Sequence, residues 1–527
     1  MPSSFESLEA KAPLLLSYRA RTAAVVFLGT LILYSLRVNM SIALVCMVKP
    51  LNESADGLLL GNATDSRQQC GGGSGSVGDA AAPNSTDWES GGVTGEFDWD
   101  RTVQGQILSS FFFGYLFLQI PAGLLAQLLG PKLVIAAMIG LASVSTLLLP
   151  AAARIDWRLV VALRILTGLG SGVMFPGLHQ LWSGWAPPIE RSKLVGFSYA
   201  GAQIGTIITL PLSSLLCRSV GWDSIFYVFG GLGCVWVAVW LGLVHNSPEQ
   251  HPWISKAEKR YIQRSLQGQV SALGKHSARL PVLSVAASLP FWAIIVSNVA
   301  YDYGGYTFLT NLPTYFKDVF GFTLMANGLL SALPYIGFFV FQFVAAWLAD
   351  LLQARAVLST RNTRKLMSVL SMGGPGSIII SLGFIGCDAY ALGIAMLVIG
   401  ITFKGAAFSG FLINHVDIAP RYAGVLFGVS NTVAALTGLI APNVVAAVVR
   451  SGSQSEWLRV FLITSTVYWF GSLFYAAFGQ GELQPWAAVA DKPAGDKQTE
   501  KKAIGEDGVA LALLPPVSAG NGPANAV

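Results

Sequence analysis

Twelve apolar stretches, each about 20 residues or longer, constrain the fold of this 527-residue chain more than any other feature. A bilayer core is crossed by roughly 20 apolar residues of α-helix. We therefore predict an all-α polytopic membrane protein with twelve transmembrane helices in two six-helix bundles. The predicted spans are 22–47, 102–128, 131–153, 157–180, 195–217, 224–244, 290–313, 326–349, 366–386, 389–413, 421–447 and 457–479.

Composition agrees with a membrane protein. Charged residues make up 12% of the chain and hydrophobic residues 53%, whereas soluble domains carry about 25% charged residues. The net charge of +5 is too small and too dispersed along the chain to indicate nucleic-acid binding. The five cysteines form no CxxC pair, so we predict no zinc or redox site.

Lysine and arginine counts give the orientation. With a cytosolic N-terminus, 21 of these residues fall on the cytosolic side and 9 on the other side, which we call lumenal. Positive residues concentrate in cytosolic loops, so this orientation is favoured. The resulting domain prediction is a cytosolic N-terminus at 1–21, a first bundle at 22–244 with a lumenal loop at 48–100, a cytosolic linker at 245–289, a second bundle at 290–479 and a disordered cytosolic tail at 480–527.

The predicted lumenal loop contains three N-glycosylation sequons. They begin at Asn52, Asn62 and Asn84. Glycans are added only to lumenal or extracellular segments, so three sequons in one loop agree with the orientation from the charge count.

Five acidic or basic side chains stand out deep inside predicted spans, where a charge is costly and usually faces a cavity or a partner. They are Arg37, Arg164, His179, Asp302 and Lys404. At about 1.5 Å of rise per residue, Arg37 and Arg164 lie at similar depth. Two guanidinium groups at one depth would clamp a carboxylate or phosphate; alternatively they extend to the interface or bond backbone carbonyls.

Asp302 and Lys404 also differ little in predicted depth. They either form a buried ion pair, or Asp302 takes up a proton during transport. His179 has a coupling or gating role, or it is a hydrogen-bonded structural residue. His415, at the end of the tenth span, follows the same pattern as His179.

Several stretches closely resemble one family of transporters. They are residues 37–44, 182–194, 198–206 and 414–424. Together they resemble the anion–cation symporter family of the major facilitator superfamily, over roughly residues 20–485. The resemblance implies two bundles around a central cavity that opens alternately to each side of the membrane.

The resemblance also implies roles for individual residues. Arg37 matches an arginine expected to contact a substrate carboxylate, while Arg164 and His179 match an arginine and a histidine of the fourth helix. Four further residues fall on positions expected to line the cavity: Tyr199, Tyr301, Tyr306 and Ser409. Each tyrosine could instead serve only in helix packing.

The fourth span departs from the family pattern. Members of the sialin-like branch carry two glutamates there that are linked to proton coupling, but this chain has Thr167 and Ser171. Neither residue titrates near neutral pH. We expect either that coupling is lost and membrane potential drives transport, or that coupling has moved to Asp302.

The predicted function is secondary active transport of small organic anions, such as an acidic sugar or acidic amino acid, driven by protons or by membrane potential. The alternative is a sodium-dependent phosphate or organic anion cotransporter at the plasma membrane. We expect no cofactor beyond a coupling H+ or Na+, no metal site, and a functional monomer in a lipid bilayer.

The sequence disfavours two other interpretations, a membrane enzyme and a channel. The chain has no HExxH metal motif and no Walker loop, and two halves with cavity charges suit alternating access. The stretch 9–15 resembles an acidic dileucine signal with the acid one residue too far from the leucines. It leaves both a lysosomal or vesicular location and the plasma membrane open.

Overall fold

The computed structural model describes residues 17–49, 95–273, 281–382, 385, 389–420 and 422–487. Glycosylation sites Asn52, Asn62 and Asn84 lie outside these residues, as do the dileucine-like stretch and most of the predicted tail. The described part is helical, apart from loops and one isolated bridge between Val48 and Phe97.

Seventeen α-helices form the described part of the chain. They are α1 (Tyr18–Met47), α2 (Arg101–Leu129), α3 (Pro131–Ile155), α4 (Trp157–Gly172), α5 (Met174–Trp185), α6 (Pro188–Ser219), α7 (Asp223–Leu243), α8 (Lys256–Leu273), α9 (Val282–Ala286), α10 (Leu289–Phe320), α11 (Leu324–Ala354), α12 (Thr360–Leu382), α13 (Tyr390–Phe403), α14 (Asn414–Ile418), α15 (Ala423–Ala435), α16 (Thr437–Val448) and α17 (Gln454–Phe478).

These helices confirm the predicted twelve-span architecture. The fourth span is α4 followed by α5, and the eleventh is α15 followed by α16. The tenth consists of α13, the 3-10 helix Lys404–Ser409 and α14. By length and composition, 10 of these segments can cross a membrane. The other two, α2 and α10, have 29 and 32 residues and are also long enough.

Several helices extend beyond the predicted spans. Helix α6 begins at Pro188 rather than at 195, and α10 continues to Phe320 rather than 313. An apolar run marks only the part of a helix that lies in lipid. The helix itself continues into the polar interface for as long as its backbone hydrogen bonds persist.

The linker that was predicted to be cytosolic is partly helical and packs on the first bundle. Helix α8 carries Glu258, which accepts hydrogen bonds at 3.1 Å from both the backbone nitrogen and Nε of Arg19 at the start of α1. Arg19 is fully buried, and it also pairs with Glu190 at the start of α6. Its guanidinium carbon lies 4.8 Å from the ring centre of Tyr261 on α8. This network joins the linker to two helices of the first bundle.

Each half is built from the same kind of helix pairing. In the first half α1 packs on α6, α2 on α4 and α3 on α7. In the second half the corresponding pairs are α10 on α15 and α16, α11 on α13, and α12 on α17. The halves meet where α6 packs on α11, α2 on α16 and α1 on α10. The central cavities lie along this boundary.

Polar contacts join the two halves at the ends that the charge count predicts to be lumenal. Arg101 at the start of α2 pairs with Asp318 at the end of α10, with 2.6 Å between Nη2 and Oδ2. Lys317 donates to the carbonyl of Val45 at 3.0 Å. The space between the halves is therefore closed at the end that the charge count predicts to be lumenal.

A disulfide lies near the lumenal ends of α1 and α6. Cys46 and Cys217 have Cα atoms 6.7 Å apart and are bonded. The sequence analysis did not predict this pair, because the two residues are 171 positions apart and belong to no motif. Both lie on the side expected to be oxidising.

The Arg101–Asp318 pair should control access from the lumen. Arg101→Ala leaves a partly buried carboxylate unpaired, which costs about 1–3 kcal/mol in the lumen-closed state. We expect a reporter cysteine at the cavity residue Thr310 to react about 5- to 100-fold faster with an impermeant thiol reagent from the lumenal side.

Two controls make this test specific. The double charge swap Arg101→Asp with Asp318→Arg should restore slow labelling, and Arg158→Ala should leave it unchanged because Arg158 is exposed. Unchanged labelling in Arg101→Ala would show that this pair does not hold the lumenal side closed.

Candidate substrate-binding site

Arg37 lies in the interior of α1 and is only 8% exposed. Its guanidinium carbon is 4.9–5.5 Å from the centres of five aromatic rings: Tyr34, Phe111, Phe112, Tyr115 and Tyr306. Aromatic faces attract a cation within about 6 Å. Nε and Nη2 of Arg37 are buried without a hydrogen-bond partner. The arrangement keeps a guanidinium out of water while leaving donors for an anion.

Local sequence explains most of this aromatic cage. Tyr34 precedes Arg37 by about one helical turn and therefore shares its face of α1. Phe111 and Tyr115 are spaced by one turn on α2, with Phe112 beside them. Tyr306 comes from α10, so the second half of the protein completes the cage. The site thus depends on contact between the two halves.

Glycines bring α2 and α4 into direct backbone contact. A Cβ atom at Gly114 would lie 1.9 Å from the carbonyl oxygen of Ile165, and one at Gly168 would lie 1.9 Å from that of Phe111. No side chain fits at either position. Small residues permit this close approach in membrane helices, and it sets Phe111 of α2 against Arg164 of α4.

Arg164 lies at the same level as Arg37, as predicted. Its Nη1 donates to the carbonyl of Leu36 at 3.1 Å, and its Nη2 donates to the carbonyl of Arg37 at 3.3 Å. Both arginines line one small cavity, together with Ser41 and Thr310. The terminal nitrogens of Arg164 therefore hold α1, which corresponds to the backbone-carbonyl alternative, and Arg37 keeps the donors available for an anion.

A second cavity lies on the boundary between the halves. It is open at its mouth, and its empty space of about 580 Å³ includes solvent at that opening. Tyr34, Gln203 and Thr206 of the first half line it, opposite Tyr301, Gly305, Tyr306 and Lys404 of the second. Leu309 lines both cavities, so they adjoin.

Asp302 and Lys404 do not form the direct ion pair that was one of the predicted alternatives. Lys404 Nζ donates at 3.0 Å to the carbonyl of Tyr301 and at 3.0 Å to the hydroxyl of Tyr468. The carboxylate of Asp302 accepts from the hydroxyl of Tyr306 at 3.4 Å. Among the described residues, no cationic nitrogen lies within 4.0 Å of that carboxylate. Equal depth did not bring the two side chains together.

The remaining predicted residues lie towards the cytosol. His179 Nε2 and the hydroxyl of Tyr199 are 3.1 Å apart, so two residues predicted separately form one contact. Ser409 does not line either cavity, and its carbonyl accepts from Arg364 at 2.9 Å. His415 is buried and lies 2.9 Å from the hydroxyl of Ser430, a structural role.

Thr167 and Ser171 use their hydroxyls within α4. Thr167 Oγ1 donates to the carbonyl of Leu163 at 2.9 Å, and Ser171 Oγ donates to that of Thr167 at 2.8 Å. Both side chains are buried. These positions therefore hold no titratable group. In the described parts of the chain, no group of three or more His, Cys, Asp or Glu side chains could hold a metal ion.

Sequence reasoning missed several residues of the site. They are Tyr34, Phe111, Phe112, Tyr115, Gln203, Thr206, Tyr335 and Tyr468. The one available signal was helical spacing from a charged residue, which places Tyr34 beside Arg37. Aromatic residues are otherwise common in membrane helices, so the residues of α2 carried no separate signal.

The sequence profile of the Major Facilitator Superfamily matches residues 24–442. The chain therefore belongs to this superfamily of membrane transporters, and the predicted multi-pass transporter, rather than an enzyme, is confirmed.

Two groups of curated relatives match most of the chain. Sialin from Ovis aries is 42% identical over 476 residues, which cover 90% of this chain and 92% of that protein. Sialin from Homo sapiens is 41% identical over the same shares. Vesicular glutamate transporter 2 from Homo sapiens is 40% identical over 393 residues, covering 74% of this chain and 67% of that protein. Within the superfamily, the chain therefore belongs to the anion–cation symporter family.

Solved structures share the fold. A bacterial homologue of the human lysosomal transporter Spinster, in an inward-facing and occupied conformation, gives a TM-score of 0.61 at 12% identity, covering 87% of this chain and 96% of its own. A D-xylose–proton symporter gives a TM-score of 0.58 at 15% identity, covering 88% of this chain and 99% of its own. At these identities the likeness concerns architecture alone.

The glycine contact between α2 and α4 yields a stability prediction. Gly168→Ala forces a Cβ atom against the backbone of Phe111, so the two helices must separate, at a cost of roughly 1–3 kcal/mol. We expect a lower melting temperature of the purified protein in detergent. Gly140→Ala is the matched control, because its Cβ would meet no atom within 4 Å. Equal melting of both variants would contradict the close packing.

Proposed function

We propose that this protein is a secondary transporter of small organic anions, an acidic sugar or an acidic amino acid, that works by alternating access. The observation that supports this best is Arg37, a nearly buried guanidinium with two unpartnered nitrogens beside the central cavities. The names of its relatives, sialin and vesicular glutamate transporter, agree with an anionic substrate.

Arg37 suits a carboxylate for electrostatic reasons. A buried charge without a partner is unfavourable, so an anion that reaches the guanidinium gains both attraction and charge-assisted hydrogen bonds. Tyr306 belongs to the second half and touches Arg37 of the first. An anion bound here would therefore contact both halves and favour their closure around it.

The contacts between the halves support the second element of the proposal, which is transport by alternating access. The ends predicted to be lumenal are joined across the boundary by Arg101 with Asp318 and by Lys317 with the carbonyl of Val45. Substrate would enter this state from the cytosol. Rupture of the Arg101–Asp318 pair, together with closure of the cytosolic ends, would then expose the same site to the lumen.

Substitution of Arg37 tests the proposal. Arg37→Gln removes the charge and the forked donor, and loss of hydrogen bonds to a charged group costs about 1.5–3 kcal/mol. We expect uptake in proteoliposomes to fall about 10- to 100-fold, with Arg37→Lys intermediate. The probes are labelled sialic acid, glutamate and phosphate, each tested with a proton gradient, a sodium gradient and a membrane potential.

Arg459→Gln serves as the control, since Arg459 is an exposed arginine of α17, and its uptake should equal wild type. Transport of none of the three anions by the wild-type protein would overturn the proposed function. Uptake driven only by sodium would instead favour the alternative, a sodium-dependent phosphate or organic anion cotransporter at the plasma membrane.

Asp302 is our candidate for proton coupling. It is a half-buried carboxylate in α10, it accepts a hydrogen bond from Tyr306, and Tyr306 in turn touches Arg37. Lys404 is the second cation near this group. Thr167 and Ser171 stand where related members carry two glutamates, and neither holds a titratable group. Asp302 would therefore take over the role of those glutamates in linking proton uptake to anion binding. We also propose that the coupling ion is H+ rather than Na+ and that the protein functions as a monomer.

Asp302→Asn separates proton coupling from transport driven by potential alone. The substitution keeps the size of the side chain and its ability to accept from Tyr306, but it removes the proton site. We expect acid-stimulated uptake to fall to the level measured with a potential alone, and potential-driven uptake to persist. Full acid stimulation in Asp302→Asn would exclude Asp302 as the coupling residue.

The compartment also belongs to the proposal. Relatives named sialin and vesicular glutamate transporter favour a lysosomal or vesicular membrane, with the plasma membrane as the alternative. In either location the lumenal or extracellular face is the one that carries the predicted glycosylation sites.

A further inference from the structure

Lys404 is a second buried cation that faces the central space from the opposite half of the protein. Its side chain is nearly buried, at 6% exposed, and it lines the larger cavity. Nζ lies 4.2 Å from the ring centre of Tyr301 and 5.5 Å from that of Tyr468. The chain thus holds an ammonium group against aromatic faces, as it holds the guanidinium of Arg37.

The hydrogen bonds of Lys404 leave room for a ligand. An ammonium group has three donors, and those recorded here go to the carbonyl of Tyr301 and the hydroxyl of Tyr468. Both acceptors are neutral. Since no cationic nitrogen lies within 4.0 Å of the Asp302 carboxylate, that acid does not neutralise Lys404 by direct contact.

Gly305 makes this position of the ammonium possible. A Cβ atom at Gly305 would lie 2.8 Å from Nζ of Lys404, so the lysine reaches a place that a side chain at this residue would fill. The next residue of α10, Tyr306, lies against Arg37. The two cations therefore contact consecutive residues of one helix, and their cavities meet at Leu309.

The charges at this place do not balance. Arg37, Arg164 and Lys404 are positive, whereas Asp302 is the one carboxylate that neighbours them in the described part of the chain. Low-dielectric surroundings strengthen the attraction of such an excess for anions. A ligand with two negative groups would match the charge and reach both free cations, whereas a monoanion would satisfy one.

We propose that Lys404 binds the second anionic group of the substrate, so that the transporter selects dianions, such as dicarboxylates, over monoanions of the same size. This inference rests on the proposed function, because it assumes that Arg37 binds the first group. Arg37 then holds one carboxylate from the first half while Lys404 holds the other from the second. The dianion links the two halves directly.

A purely structural role for Lys404 makes a different prediction. Its bonds to Tyr301 of α10 and Tyr468 of α17 could serve only to join these helices. In that case its loss would weaken the protein for every substrate alike. A comparison of two ligands that differ only in charge number separates the two roles.

The experiment is competition in proteoliposomes containing the full-length protein. Glutarate and its monoamide glutaramate have the same size, but glutarate has two carboxylates and glutaramate has one. Each competes against whichever labelled anion wild-type protein transports, and the concentration for half inhibition is measured. Wild type should prefer glutarate by about tenfold or more. Lys404→Gln should lose most of that preference. Its half-inhibiting concentration of glutaramate should stay within about twofold of the wild-type value.

Lys404→Arg keeps the charge and should retain most of the preference for glutarate. Unchanged inhibition by glutaramate shows that Lys404→Gln is folded and that the Arg37 subsite is intact. Equal inhibition of wild type by both ligands would overturn the proposal, as would an equal loss of affinity for both in Lys404→Gln. Failure of the proposed function itself looks different, since wild type would then transport no labelled anion to compete against.

Discussion

The structure depends on how it keeps a guanidinium group in a nearly dry interior. Removing a charge from water is costly unless other groups compensate for the lost hydration. Around Arg37 the compensation is incomplete, because aromatic faces surround the charge but two of its nitrogens bond nothing. Because the guanidinium of Arg37 is incompletely solvated, it would attract an anion to the centre of an otherwise apolar protein. It also explains why Arg164, whose terminal nitrogens already bond α1, is the less suitable ligand residue.

Packing makes this arrangement stable. Glycines let α2 and α4 touch backbone to backbone, which fixes Phe111 between the two arginines. The cage is then completed by Tyr306 from the other half, and the lumenal ends are held by Arg101 and Asp318. The candidate site is therefore a property of the interface between the halves. A change in that interface alters the site and its access together.

The sequence predicted the fold and the charged residues of the site, but not its shape. Apolar runs located all twelve spans, and the cost of buried charge singled out Arg37, Asp302 and Lys404. Counting residues gives depth along a helix but not the direction in which a side chain points. That is why Asp302 and Lys404, at similar depth, do not pair directly, and why Ser409 lies away from the cavities. The aromatic cage depends on which helices become neighbours, which no single span reveals.

In the first half, α1 and α6 are joined to each other near both membrane faces, which limits how these two helices can move relative to one another. The disulfide joins α1 to α6 near the lumenal end, and Arg19 with Glu190 joins the same two helices near the cytosolic end. With both ends tied, neither helix can bend or slide independently, so the half should rotate as one rigid lever. Under the proposed alternating access, the distance that Arg37 moves would then be set by the angle of that rotation. Helix α8, fixed to Arg19 through Glu258, would travel with the lever and carry its motion to the cytosolic surface.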